Sequence, residues 1–277
     1  MRIPVPRRLP RPVRSRPAWL AVITAAGALI LPFALAPAAS ASSVNYVALG
    51  DSYSSGVGAG SYTSSSGSCD RSTNAYSQLW ANANDPASYV SVACSGATTS
   101  SVISSQLSAL SASTTLVSIT VGGNDIGFSS VMETCVLDGS DCVSAVDNAE
   151  SEAENQLPGE LNSVLADIKA DAPNARVVVL DYPELYDLSK SSGCIGLSTG
   201  NRTALNQGAQ LLDSEIQAAA GRYGDVFADV QGQFAGHEIC DSSSWLHSVN
   251  FLDISESYHP TASGQSGGYL PVFTAAA

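Results

Sequence analysis

The chain has 277 residues, 44% of them apolar, with 25 acidic against 12 basic side chains and a net charge of −13. An acidic balance argues against holding nucleic-acid phosphates and against electrostatic anchoring on an anionic membrane. It points to a neutral or zwitterionic partner, and it also serves to keep an exported protein soluble.

Residues 1–41 carry six arginines and no acid, then an apolar run from Ala18 to Ala36, and finish Ala39-Ser40-Ala41. That order is the one a secretory signal peptide shows, with cleavage expected after Ala41 and a weak twin-arginine hint at Arg7-Arg8. The run is short for a retained anchor, so no stable membrane insertion is expected. Six basic and 25 acidic residues would then remain, a net charge of −19. The remaining 42–277 segment shows no internal repeat and no long linker, which predicts one domain, expected as a monomer.

Val44 to Leu49 is a short apolar run ended by Gly50, which predicts a strand followed by the turn Gly50-Asp51-Ser52. Ser72 is expected to N-cap a helix over 74–82, and Tyr89 to Ala93 reads as the next strand, closing on Cys94-Ser95-Gly96-Ala97. A Ser-rich helix is expected around 102–110. The buried strand Thr115 to Val121 then leads into Gly122-Gly123-Asn124-Asp125. A helix over 143–170 is interrupted at Pro158, Arg176 to Leu180 is another buried strand, 202–222 a long helix and 226–230 a last strand. Strands alternating with helices predict a parallel α/β sheet covered on both faces, with ligands at the carboxyl ends of the strands.

Two serines compete for a reactive turn. Gly196-Leu197-Ser198-Thr199-Gly200 fits G-x-S-x-G, with Asp229 and His259 following in a matching order. No strand precedes it, so Ser198 or Thr199 is expected to serve a turn or a helix cap. Ser52 directly follows a strand. With the Gly96 N–H, the Asn124 amide and the late Glu256-Ser257-Tyr258-His259-Pro260 segment, it supplies the parts of acyl transfer: nucleophile, base and oxyanion donors.

The six cysteines all lie beyond residue 41 and predict three disulfides in an exported chain. Fifteen pairings are open, and neighbours in order are favoured: Cys69 with Cys94, Cys135 with Cys142, Cys194 with Cys240. Neither C-x-x-C nor H-x-x-x-H spacing is present, so no metal is expected.

The blocks GDS at 50–52, glycine at 96, GGND at 122–125 and HP at 259–260, in this order, resemble the SGNH or GDSL hydrolases. With the signal segment, the cysteines and the variant GDSYSSG, the resemblance is nearest to the secreted streptomycete lipases and phospholipases of the A1 type. It implies a three-layer α/β/α sandwich around about five parallel strands, Ser52 as nucleophile and His259 as base. It also implies an oxyanion hole made of the Ser52 and Gly96 N–H groups and the Asn124 side chain. A lipid ester is the implied substrate, with no cofactor. A small-acyl carbohydrate esterase, or a non-catalytic surface module, are the alternatives.

One departure matters. The family's aspartate three residues before the histidine is Glu256 here, and its longer side chain is harder to fix. The main-chain carbonyl of Ser257 is therefore expected to orient His259, in place of Glu256. Asp51 and Asp125 are read as supports for their turns, His237 and His247 as loop residues. Tyr53, Phe128 and Tyr258 are candidates for an acyl pocket or for the core.

Overall fold

The structure, a computed structural model, describes residues 44–190 and 196–277; the expected signal segment and Cys194 lie outside them. Strand β1 (Asn45–Ala48) enters the short helix α1 (Ser52–Ser55), and α2 (Tyr76–Asn84) leads to β2 (Ser88–Ser91). Then come α3 (Thr99–Ser105), β3 (Leu116–Ile119), α4 (Phe128–Leu137), α5 (Cys142–Asn155) and α6 (Leu157–Asp171). The chain continues through β4 (Arg176–Leu180), α7 (Thr199–Tyr223), β5 (Val226–Ala228), α8 (Gln231–Phe234) and α9 (Leu270–Ala276).

The five strands pair in parallel in the order β2-β1-β3-β4-β5. This is the expected α/β sheet, and burial explains its apolar runs. All four residues of β3 are buried, whereas β2 at the edge alternates between exposed and half-buried positions. Chain order reverses direction between β1 and β3, so their carboxyl ends open the crevice where α/β sheets bind ligands.

Helices α2 and α9 pack together and meet the sheet through Tyr46, whose ring lies 5.4 Å from that of Trp80 and 5.3 Å from that of Phe273. Among the other helices, α3 packs on α6, and α7 on both α5 and α6. In α6 the buried residues Leu157, Leu161, Val164, Leu165 and Ile168 form one apolar stripe. Pro158 sits in its first turn, where its missing N–H costs nothing, so the proline separates two helices as expected.

Several boundaries differ from expectation. Ser72 does not cap α2: the N-cap is Ala75 without a side-chain bond, and the Ser72 hydroxyl instead accepts from the Asn74 N–H and donates to the Gly60 carbonyl. Strand β5 stops at Ala228 because Asp229 starts a turn, accepting from the Gln231 N–H. Helix α4 was absent from the sequence reading; its buried Val131, Met132 and Cys135 repeat at helical spacing inside a stretch that looks like loop. Disulfides join Cys69 to Cys94 and Cys135 to Cys142, as expected. The pairing of 194 with 240 involves a residue outside those described.

Candidate active site

Three turns meet at the carboxyl edge of β1 and β3. The first is built by Asp51, the N-cap of α1, whose Oδ1 accepts from the Tyr53 N–H at 3.0 Å. Because Asp51 does the capping, the hydroxyl of Ser52 in the first helical position is left for another partner. It meets Nε2 of His259 at 2.7 Å. Gly50 must be glycine: its φ is +118°, and a Cβ there would lie 2.4 Å from the Thr120 carbonyl oxygen.

The second turn carries Gly96, at φ +75°, held to the first by the Cys94 N–H donating to the Gly50 carbonyl at 2.9 Å and to the 64–69 segment by the Cys69–Cys94 bridge. The third carries Asn124, whose amide donates to the Ala97 carbonyl at 3.0 Å and keeps its second hydrogen. Asp125 fastens these two turns together by accepting from the Thr99 N–H at 3.0 Å and from the Thr99 hydroxyl at 2.7 Å. The Ser52 N–H precedes the first intrahelical bond, and neither it nor the Gly96 N–H has an acceptor among the described residues. The arrangement leaves two N–H groups and one amide hydrogen open on the turns that carry Ser52, Gly96 and Asn124.

His259 comes from a loop rather than from a strand end. Its Nδ1 faces the Ser257 carbonyl oxygen at 3.0 Å, so a proton on Nδ1 leaves Nε2 to accept from Ser52. Tyr258, between them, is buried and takes a positive φ of 67°, a costly conformation for a tyrosine. Its neighbours hold it there: its N–H donates to the His247 carbonyl at 3.0 Å, and its own carbonyl accepts from the Tyr53 hydroxyl at 2.8 Å. Burial pushes the His259 imidazole down to about 4, against the bond to Ser257, which favours the protonated ring.

Glu256 points elsewhere. Its Oε1 accepts from the Tyr62 hydroxyl at 2.7 Å and its Oε2 from the Asn250 amide at 3.4 Å, so it ties the histidine loop to the segment after α1. His247 donates from Nε2 to the Gly58 carbonyl of the same segment at 2.7 Å, and His237 stacks on Trp245. Ser198 is the N-cap of α7, accepting from the Asn201 N–H at 3.2 Å.

A cavity opens beside Ser52 and Asn124, walled by Ile126, Phe128 and Val131 before and within α4 and by Leu205 and Leu212 of α7. Tyr53 and Phe128 line it; Tyr258 does not, its ring packing instead against Tyr186.

Two buried residues of this region had no signal in the sequence. Gln106 grips Gly50 from both sides, its Oε1 accepting from the Gly50 N–H at 2.8 Å and its Nε2 donating to the Gly50 carbonyl at 2.9 Å. Tyr182, just past β4, donates its hydroxyl to Asp51 at 2.5 Å. Burial pushes the Asp51 carboxyl up to about 7, with the bond from Tyr182 opposing that rise. A glutamine ending a Ser-rich helix and a tyrosine before a proline match no motif.

Residues 48–266 match the GDSL-like lipase/acylhydrolase family. The chain is 53% identical over 258 residues to Lipase 1 of Streptomyces coelicolor, covering 92% of this chain and 96% of that one. It is 47% identical to a lipase of Streptomyces rimosus, covering 95% and 98%. The crystal structure of phospholipase A1 from Streptomyces albidoflavus superposes with a TM-score of 0.82 at 54% identity, covering 84% of this chain and 99% of that one. Its sheet, its ordered turns and these likenesses agree: the chain belongs to the GDSL-like lipase/acylhydrolase family.

Proposed function

We propose that the protein is a secreted serine ester hydrolase that releases fatty acid from glycerophospholipids or other lipid esters. The observation that carries this reading is the 2.7 Å contact between Ser52 Oγ and His259 Nε2 at the mouth of an apolar cavity. Ser52 attacks the ester carbonyl carbon while His259 takes its proton. The carbonyl oxygen gains negative charge and meets the Ser52 and Gly96 N–H groups and the Asn124 amide. The tetrahedral adduct collapses, His259 gives its proton to the leaving alcohol, and water, activated by the same imidazole, cleaves the acyl-Ser52 ester. His259 suffices to activate the serine, so the route needs no metal or cofactor.

The imidazolium that forms transiently is steadied by the Ser257 carbonyl, a neutral acceptor fixed by its loop. The pair is thus a Ser-His dyad with main-chain support, and Glu256 acts on the loop alone. The apolar wall of Ile126, Phe128, Val131, Leu205 and Leu212 favours a fatty acyl chain over an acetyl group. The names of the relatives, lipase and phospholipase A1, support the same choice. Secretion rests on the order of features in residues 1–41, which would be removed to leave one domain, 42–277. Among the described residues no helix is long and apolar enough to cross a membrane.

The test offers the purified mature protein phosphatidylcholine, a triacylglycerol and an acetyl ester side by side, with products identified. Free fatty acid from the first or second supports the reading. Turnover of the acetyl ester alone would make this a small-acyl esterase, and turnover of none would leave a binding module.

A further inference from the structure

The strand ladder stops short of the reacting atoms. Asp51 N–H donates to the Thr120 carbonyl at 3.0 Å, and this is the last main-chain bond joining the end of β1 to the end of β3 among the described residues. Beyond it the chains part. One turns through Ser52 into α1, the other through Gly122 and Gly123 to Asn124, so nucleophile and oxyanion donor sit on turns that the sheet no longer joins.

Just below the gap the Ser54 Oγ of α1 accepts from the Thr120 N–H at 3.1 Å, and Tyr182 reaches across it to Gly123. The Tyr182 hydroxyl donates to Asp51 Oδ2 at 2.5 Å and accepts from the Gly123 N–H at 3.1 Å. Asp51 Oδ1 in turn caps α1 through the Tyr53 N–H at 3.0 Å. Tyr182 is 7% exposed and its ring packs edge-to-face with that of Tyr53, the centroids 4.9 Å apart, which holds it in place. It also lies close enough to Gly123 that a Cβ there would come within 3.3 Å of its Cζ and Oη. Its own main chain is held as well, the Tyr182 N–H donating to Asp213 Oδ1 at 3.0 Å.

We infer that Tyr182 is a positioning residue that sets the distance between Ser52 and Asn124, acting on the oxyanion through the Asp51 and Gly123 ends of its hydroxyl bridge. The inference rests on the serine chemistry proposed above. A phenol suits the task because one oxygen donates to a carboxylate and accepts from an amide at the same time. Phenylalanine at this position would keep the ring and lose both bonds, freeing each turn to shift. Displacement of a reacting group by about 1 Å can cost about 10² in rate without changing how the ground state binds.

The experiment measures kcat and KM of Tyr182→Phe on p-nitrophenyl acetate, whose acyl group is too short to probe the apolar cavity, together with Tm. The expected result is a kcat lower by about tenfold to a hundredfold with KM within about twofold of the parent. Asn124→Ala alone should lose about 10²–10³. In the double variant the two losses should not multiply, because the bridge has nothing left to position at Asn124. A kcat within twofold of the parent, a rise in KM without a fall in kcat, or fully multiplicative losses would overturn the inference. If Tyr182→Phe does not fold, 4-aminophenylalanine at 182 keeps a donor to Asp51 and weakens the acceptor for Gly123; kcat should fall at constant KM, and an unchanged kcat overturns the assignment. A parent without activity on any ester would instead sink the serine chemistry itself.

Discussion

Ser52 and Ser198 both stand at the start of a helix in a glycine-flanked turn, yet their hydroxyls do different work. Ser198 is itself the N-cap of α7, and its oxygen is engaged by the Asn201 N–H. Ser52 lies one position further in: Asp51 caps α1, and the Ser52 oxygen faces His259. Ser198 is exposed, whereas Ser52 is 7% exposed beside a cavity. A single step in helix register, with an aspartate to take over the cap, separates a serine bonded to its own helix from one whose oxygen is left to meet a histidine. G-x-S-x-G describes residue types; what decides reactivity is which side chain satisfies the orphan N–H groups of the helix.

The largest effect that could break this comparison is at Ser52. Ser52→Ala should lower kcat by about 10⁶ on any substrate the parent turns over, as removal of a serine nucleophile does elsewhere. A serine-directed phosphonate should label the peptide containing Ser52, and labelling at Ser198 would reverse the two roles.

The pH profile sharpens the account of the base. Protonated His259 cannot accept from Ser52, so kcat/KM should fall as pH drops through its folded value. Burial sets that value near 4, with the bond to the Ser257 carbonyl on Nδ1 opposing the fall. The acid limb should therefore lie well below the 6.5 of a free imidazole, with kcat/KM flat between about pH 6 and 8. A limb above 6.5 would point to a carboxylate on the ring.

A smaller effect is expected at Glu256. With both oxygens on Tyr62 and Asn250, Glu256→Ala should loosen the loop and cost less than about tenfold in kcat, where loss of a true triad carboxylate costs about 10⁴. Steady-state kinetics on a variant that melts near the parent decides between them. The smallest effect is at Ser198: Ser198→Ala should leave kcat within error and lower stability by about 1 kcal/mol, the worth of an N-cap, read by denaturant unfolding.

Much of this was visible before any coordinates. β4 falls on Arg176–Leu180 as expected, because a parallel strand buried from Val177 to Leu180 needs an unbroken apolar run. The nucleophile turn followed from a strand that stops at Gly50. Helix α4 was hidden because its apolar stripe of Val131, Met132 and Cys135 is short and follows directly on a glycine turn. Of the cavity's apolar wall, Phe128 is expected from the sequence, whereas Val131, Leu205 and Leu212 meet only because α4 and α7, far apart in sequence, pack around it.

The chain's own order of residues determined the sheet, the glycine turns at its carboxyl edge, two bridges between neighbouring cysteines and which of Ser52 and Ser198 follows a strand. These depend on local periodicity, on glycine's access to positive φ and on what immediately precedes a turn. Only the tertiary structure decided what holds His259, because Ser257 offers a main-chain carbonyl that every residue possesses and no motif can mark. Its aim depends on Tyr258 being kept at φ 67° by Tyr53 and by the main chain of His247. Gln106 and Tyr182 belong with it: each is a common residue made specific by burial against a turn some 56 or 131 positions away. Hydrogen bonds over such separations are selected by packing, which no local pattern of residues records.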